Sequence, residues 1–239
     1  MNREQLQKDF FPPEIILKIY QDIPDSEIEA KIKLVNEYIE KVRGTYDEDV
    51  LKIHQHNQIA FCYWIAEQYV ESIKHFEIVV ESLQPEDCST KYFLALNLLI
   101  RGTRLLSKYN EAEKWAESAL ANHHLSDAIS NLHILNDYCD VITETESFLD
   151  EKHNLLIQSI IDEYGFPEKL EDPIDTIQSM SMRHKYWSNT YSKIVLNFRE
   201  SDPEEYIQEI EKYIESCDIE WFRNHALKSI EIIKERSLK

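Results

Sequence analysis

The chain of 239 residues carries 45 acidic against 26 basic side chains, a formal charge of −19, and only three glycines, Gly44, Gly102 and Gly165. That charge weighs against nonspecific nucleic-acid binding, which needs clustered Lys and Arg against phosphate, and it makes a cationic partner or a well-solvated surface the natural use of the acids. Glycines so far apart cannot assemble a phosphate loop, a dinucleotide fingerprint or a nucleophile elbow.

At this length about 70–75% of the unfolded surface is buried on folding, enough for one extended helical domain or two small ones. Cys62, Cys88, Cys139 and Cys217 are widely spaced and never form a C-x-x-C pair, so they read as small buried hydrophobes in a reducing, cytoplasmic compartment. Met1 to Gln5 lacks an apolar leader, and the longest apolar run, Tyr92 to Ile100, is interrupted by Asn97. No secretion signal and no membrane segment are expected.

In chain order, Phe10-Phe11-Pro12-Pro13 leads into a short helix through Ile15, Ile16, Ile19 and Tyr20 with Pro13 in its first turn. From Asp25 or Ser26 the four-three spacing of Ile28, Ile32, Val35, Ile39 and Val42 predicts an amphipathic helix. Glu27 with Lys31, Glu29 with Lys33 and Glu37 with Lys41 lie one turn apart on its wet side, and Gly44 is placed to close it in a left-handed cap. Asp47 caps a helix through Val50, Ile53, Asn57, Phe61, Trp64 and Ile65, and its partner runs from Tyr69 through Ile73, Phe76, Val80 and Leu83 to stop before Pro85. Ser89 or Thr90 begins a long apolar helix that reaches about Ser107, Asn110 caps a small-residue helix through Leu120, and Asn122-His123-His124 forms the turn after it.

Ser126 and Asp127 start a helix through Ile129, Leu132, Leu135 and Cys139, while Thr143-Glu144-Thr145-Glu146 has the form of a capping box. That box predicts a helix carrying Phe148, Leu149, Leu156, Ile160 and Tyr164, closed by Gly165. Residues 165–173, with Pro167 and Pro173 among charged side chains, predict a linker. Asp172-Pro173 and Asp202-Pro203 are both cap-then-first-turn signals. They bracket a helix or broken helix with Ile177, Met180, Trp187, Tyr191, Ile194 and Phe198, and the second opens a helix with Tyr206, Ile210, Tyr213 and Cys217. Asp218 is expected to cap the last helix, with Phe222, Ala226, Ile230 and Ile233 inward and Lys228, Lys234 and Arg236 toward its C-terminal dipole. The expectation is an all-α chain of about eleven helices, with a helical region at 1–164, the linker at 165–173 and C-terminal helices at 174–239 that continue or cap the stack.

Tyr69 and Tyr109 stand 109 − 69 = 40 residues apart, and Ser72, Ile73, Phe76, Val79 and Val80 line up with Ala112, Glu113, Ala116, Ala119 and Leu120. Small residues at Ser72, Ala112, Ala116 and Ala119 let two helix axes approach closely, with Phe76 and Trp115 filling the groove beside them. At these residues the stretch from His56 to Asn122 resembles the tetratricopeptide repeat (TPR) family, whose unit is about 34 residues where this one is 40. The resemblance implies antiparallel helix hairpins stacked as a TPR-like right-handed superhelix with a concave ligand-binding surface. Counting back 12, 8 and 5 residues from the two tyrosines gives Asn57 and Asn97, Phe61 and Arg101, and Trp64 and Arg104. In the family these positions line the groove, where Asn binds a ligand's backbone and basic side chains bind its carboxylates. The resemblance therefore implies a partner-binding surface of Asn57, Phe61, Trp64, Asn97, Arg101 and Arg104.

Signals for chemistry are weak by comparison. His54, His56, the His123–His124 pair and His133 with Asp137 offer metal ligands, yet no Glu precedes a His by three residues, as a carboxylate-bridged bundle site requires. No Asp or Glu stands in an apolar setting that would raise its pKa, and Cys62 or Cys139 would need a histidine partner brought from elsewhere. The expectation is a protein with no catalytic residues, metal or other cofactor, acting as a scaffold that binds another protein or peptide, for which a basic partner is the electrostatic complement. The alternative is an acidic immunity-type inhibitor that neutralises a basic toxin such as a nuclease. A helical hydrolase or metalloprotein is the third reading.

Overall fold

The computed structural model describes residues 1–197 and 203–237, and among them all regular structure is helical, with twelve α-helices and no strand. The expected positions Phe198 and Asp202 and the side chain of Arg236 lie outside the described residues. The chain divides into two compact units, Met1–Thr145 and Glu146–Lys239.

The first unit opens with α1 (Arg3–Gln7), capped by Asn2, and α2 (Pro13–Leu17), which has Pro13 in its first turn and runs into a π-helical turn at Lys18–Asp22. Between them Phe10 is buried edge-on against Phe11, Tyr38 and Tyr46 and stacked on His54. Helix α3 (Ile28–Val42) buries Ile28, Val35 and Ile39 as its spacing predicts. Its charged face differs from expectation: Lys33 meets Glu37 at 3.8 Å, and Lys31 is only 1% exposed and pairs with Asp25, which precedes the helix, and not with Glu27. A lysine taken inside must bring a counter-ion with it. Gly44 follows α3 with φ +85°, the left-handed conformation expected there.

Four longer helices follow: α4 (Glu48–Ile65), α5 (Tyr69–Ser82), α6 (Ser89–Leu105) and α7 (Tyr109–Ala121). A final helix, α8 (Ala128–Glu144), packs on α6 and α7. Asp47 and Asp127 cap α4 and α8 through their side chains. Helix α5 packs on both α4 and α6, and α6 packs on α7. Small residues make these contacts close. The Ser72 hydroxyl, fully buried, donates to the Ala60 carbonyl at 2.9 Å, and Ala112, Ala116 and Ala119 are fully buried on α7. At Gly102 a methyl group would stand 3.2 Å from Ile73 and 3.3 Å from the Trp64 ring.

The two helix pairs also turn alike. α4 and α6 end 40 residues apart, at Ile65 and Leu105, and α5 and α7 start 40 apart, at Tyr69 and Tyr109. In each turn one residue is left-handed, Glu67 and Ser107, both at φ 58°. The same six-residue closing bond recurs as well, Gln68 N–H to the Tyr63 carbonyl and Lys108 N–H to the Thr103 carbonyl, each 2.9 Å. This is the Schellman geometry that satisfies helix-end carbonyls, normally with Gly at the left-handed position.

The second unit contains α9 (Asn154–Tyr164), α10 (Pro173–Leu196), α11 (Pro203–Ser216) and α12 (Glu220–Ser237). Its core includes Ile157, Ile160, Ile177, Met180, Ile210, Tyr213, Ile219 and Ala226. Two expectations change here. The helix predicted from the capping box begins at Asn154, because α8 itself continues to Glu144, and Phe148 is 92% exposed. Residues 165–173, expected as a linker, lie inside this unit. Phe166 is buried, and Glu168 accepts from Ser179 at 2.8 Å and from Arg183 Nε at 2.7 Å.

Arg183 also pairs with Asp218, which accepts from Trp187 Nε1 at 2.7 Å. Asp218 is thus spent on α10, and α12 starts two residues after it at Glu220. Gly165 closes α9 at φ +61°, and an added Cβ would come within 2.5 Å of the Glu220 Cβ.

Two outcomes follow for urea unfolding. Glu67→Gly and Ser107→Gly each raise stability by roughly 0.5–1 kcal/mol, by removing the left-handed penalty of an L side chain. Gly165→Ala lowers the stability of the second unit by about 2 kcal/mol or more, since strain and overlap act together.

Candidate functional site

Asn57, Phe61 and Trp64 all lie half-buried on α4. Phe61 meets Phe76 edge-on at 5.4 Å, and Trp64 meets Tyr69 edge-on at 5.2 Å, so both rings pack against α5. The Asn57 carbonyl oxygen is shielded from solvent and has no hydrogen-bond partner.

The three α6 residues are engaged by α8. Asn97 is buried and donates from Nδ2 to Asp137 Oδ2 at 2.7 Å. Arg101 donates from Nε and Nη2 to Asp137 Oδ1 at 3.1 and 3.0 Å. One turn on, Arg104 pairs with Asp140 at 3.2 Å and Glu144 at 2.5 Å. The structure brings Asn97, Arg101 and Arg104 together as one polar seam whose other half is Asp137, Asp140 and Glu144.

Sequence reasoning reads Asp137 only as a candidate metal ligand beside His133 and does not pair the three acids with the α6 residues, although a signal for that pairing exists. Asp137 stands 40 residues after Asn97 and Glu144 stands 40 after Arg104, so the period that relates the first two copies also reaches α8. The expectation that no carboxylate is raised in pKa is corrected by Asp137. Its side chain is almost wholly buried, and burial pushes the carboxyl above its ordinary value although Arg101 opposes the shift. Two cations face three carboxylates along this seam. Neither arginine reaches out as an unpaired receptor for a ligand carboxylate.

The histidines divide into separate environments. His56 and His75 join α4 to α5 through an Nδ1···Nδ1 hydrogen bond of 2.8 Å, one ring donating to the other, and burial lowers the pKa of both. His54 is 4% exposed, stacks on Phe10 at 4.3 Å, and has an Nε2 without a hydrogen-bond partner. Burial, helped by the charge of Lys91, takes it down to about 4. Among the described residues no three His, Cys, Asp or Glu side chains converge as metal ligands. All four thiols are free and buried, and burial pushes Cys62 up to about 11. Among the described residues no helix is long and apolar enough to cross a membrane.

No protein-family model and no curated protein matches this chain.

The seam and the buried histidine each make a prediction. Asp137→Ala strands Asn97 and Arg101 and costs about 2–4 kcal/mol in chemical denaturation, whereas Asp137→Leu combined with Arg101→Met restores most of that loss. For His54 the folded-state pKa of about 4 lies below the ordinary 6.5. The unfolded chain therefore takes up a proton first as pH falls. Stability present above pH 6.5 is lost on acidification toward pH 4, by about 3 kcal/mol at most. In His54→Leu this part of the pH dependence disappears, which thermal unfolding across that range measures.

Proposed function

We propose that this chain is a non-catalytic scaffold of TPR-like helix hairpins that binds another protein, and that its partner is basic. Support for the hairpin reading comes from the 40-residue recurrence of helix ends, left-handed turn residues and small-residue contacts. The observation that carries the choice of partner is the seam. Arg101 and Arg104 are neutralised by three acids of α8, so the face expected to receive carboxylates has no cation to spare for them, and its excess charge is negative. With 45 acids against 26 bases over the whole chain, a cationic partner is attracted from a distance and its association is accelerated. Four buried free thiols fit residence in the cytoplasm.

A second reading shares this electrostatic logic: an immunity-type inhibitor that caps a basic toxin such as a nuclease. The net charge of −19 favours it. The two differ in what the partner is, not in how it is attracted.

A tagged pull-down from the source cell at low salt, washed at high salt and read by mass spectrometry, tests the proposal. A basic protein retained at low salt and released at high salt is the expected result, because exposed charge attraction is screened within about 10 Å at 0.1 M salt. Asp140→Asn with Glu144→Gln should weaken that partner's binding by about tenfold while leaving the fold intact. A partner that is acidic, or no retained protein at all, overturns the reading. A toxic nuclease as the partner selects the inhibitor version.

A further inference from the structure

The second unit contains a feature that the scaffold reading does not use. A cleft of ≈ 290 Å³ between the last turn of α9 and the first half of α12 is lined by Asp162, Glu163, Glu220, Trp221, His225 and Lys228, among others. One side of it is aromatic. Buried Tyr164 stacks on Trp221 at 5.1 Å and 21°, and Trp221 stacks in turn on exposed His225 at 5.0 Å and 5°. The planes run from the core outward, and Trp221 remains 38% exposed.

The acidic side is held by the fold. Glu220 lies against the end of α9, its N–H donating to the Gly165 carbonyl at 3.3 Å, in space that exists because residue 165 has no side chain. Asp162 and Glu163 occupy the last turn of α9, which has no basic residue in that turn. Carboxylates there sit at the negative end of the helix dipole, where cations are favoured and anions are not. Among the described ion pairs none involves Asp162, Glu163, Glu220 or Lys228, and Asp162 accepts only the Gln158 side-chain amide at 2.8 Å. Three carboxylates therefore face one ammonium across the cleft.

A solvated acidic face would need no aromatic wall, and a simple aromatic cluster would not gather carboxylates at a helix C-terminus. The combination suits a planar cation. A guanidinium stacks on aromatic planes and forks two N–H bonds to a carboxylate, whereas an ammonium uses only the charge. We infer that this cleft receives an arginine side chain of the basic partner protein. The inference rests on the proposed reading of the chain as a binder of a basic protein, and it adds the place and the residue type.

The test uses the full chain, labelled with nitrogen-15, and a capped hexa-arginine peptide. Trp64, Trp115, Trp187 and Trp221 give four indole signals, and Trp221→Phe assigns the one that matters. The arginine peptide should shift the Trp221 indole signal more than the other three, and a hexalysine peptide of equal charge should bind about fivefold more weakly or worse. Glu163→Gln with Glu220→Gln should weaken the arginine peptide by about tenfold. Because Glu220 starts α12, Asp162→Asn with Glu163→Gln, which leaves α12 untouched, must reproduce that loss. Equal binding of the two peptides, or unchanged affinity in both folded double variants, overturns the assignment and leaves only diffuse charge attraction. The pull-down separates this from failure of the broader reading. A basic partner held equally well by native and variant protein overturns the cleft alone, while the absence of any basic partner overturns the function on which it rests.

Discussion

A carboxylate removed from water costs several kcal/mol unless hydrogen bonds and opposite charge meet it, and much of the first unit's polar structure answers that requirement at Asp137. Asn97 and Arg101 supply three N–H groups to its two oxygens. This explains a polar residue inside the apolar run from Tyr92 to Ile100: Asn97 is inside because Asp137 is inside. It also explains why α6 presents its arginines to α8, with Arg104 meeting Asp140 and Glu144 one turn further on. The consequence is electrostatic. Cations that would otherwise attract acidic ligands are consumed within the fold.

Helices α4, α5 and α6, which lead up to the seam, are brought close by small residues. Ser72 reaches the Ala60 carbonyl across α4 and α5, and Gly102 admits Ile73 and Trp64 where a methyl would crowd them. Close approach leaves little space for long side chains between axes, which is why the large rings, Phe61, Phe76 and Trp64, lie beside the contacts. The left-handed turn residues Glu67 and Ser107 accept some backbone strain so that each pair can reverse in three residues.

The second unit applies the same rule with the charges inverted. Arg183 is a cation placed between Glu168 and Asp218, and Trp187 adds its indole N–H to Asp218. The segment from Gly165 to Pro173 is fastened by that arginine, so its proline and charge content mark an irregular path within the unit. Against these ion-paired groups, the carboxylates beside Trp221 stand out because none of them takes part in an ion pair among the described residues.

The helical class, most helix starts and the inward faces were legible in the sequence, because capping chemistry and the 3.6-residue period act over a few residues. Asp47, Asp127 and Asp172 cap the helices that their positions predict, and Gly44 and Gly165 take the left-handed conformation. Legibility failed wherever a charged side chain had two possible uses. Asp218 serves Arg183 and Trp187 instead of a helix end, Lys31 turns inward to Asp25, and Thr143-Glu144-Thr145-Glu146 finishes a helix instead of opening one. The candidate residues on α6 lie along one seam, and the spacing alone did not mark Asp137, Asp140 and Glu144, 36 to 40 residues away, as their ionic partners. Local sequence determines where the backbone coils and which face is apolar, since those energies are summed within a turn. Which acid neutralises which base is decided by the packing of distant helices, because Coulomb attraction and desolvation depend on separation in space; the 40-residue spacing of Asp137 from Asn97 and of Glu144 from Arg104 acquires its meaning only once α8 packs on α6.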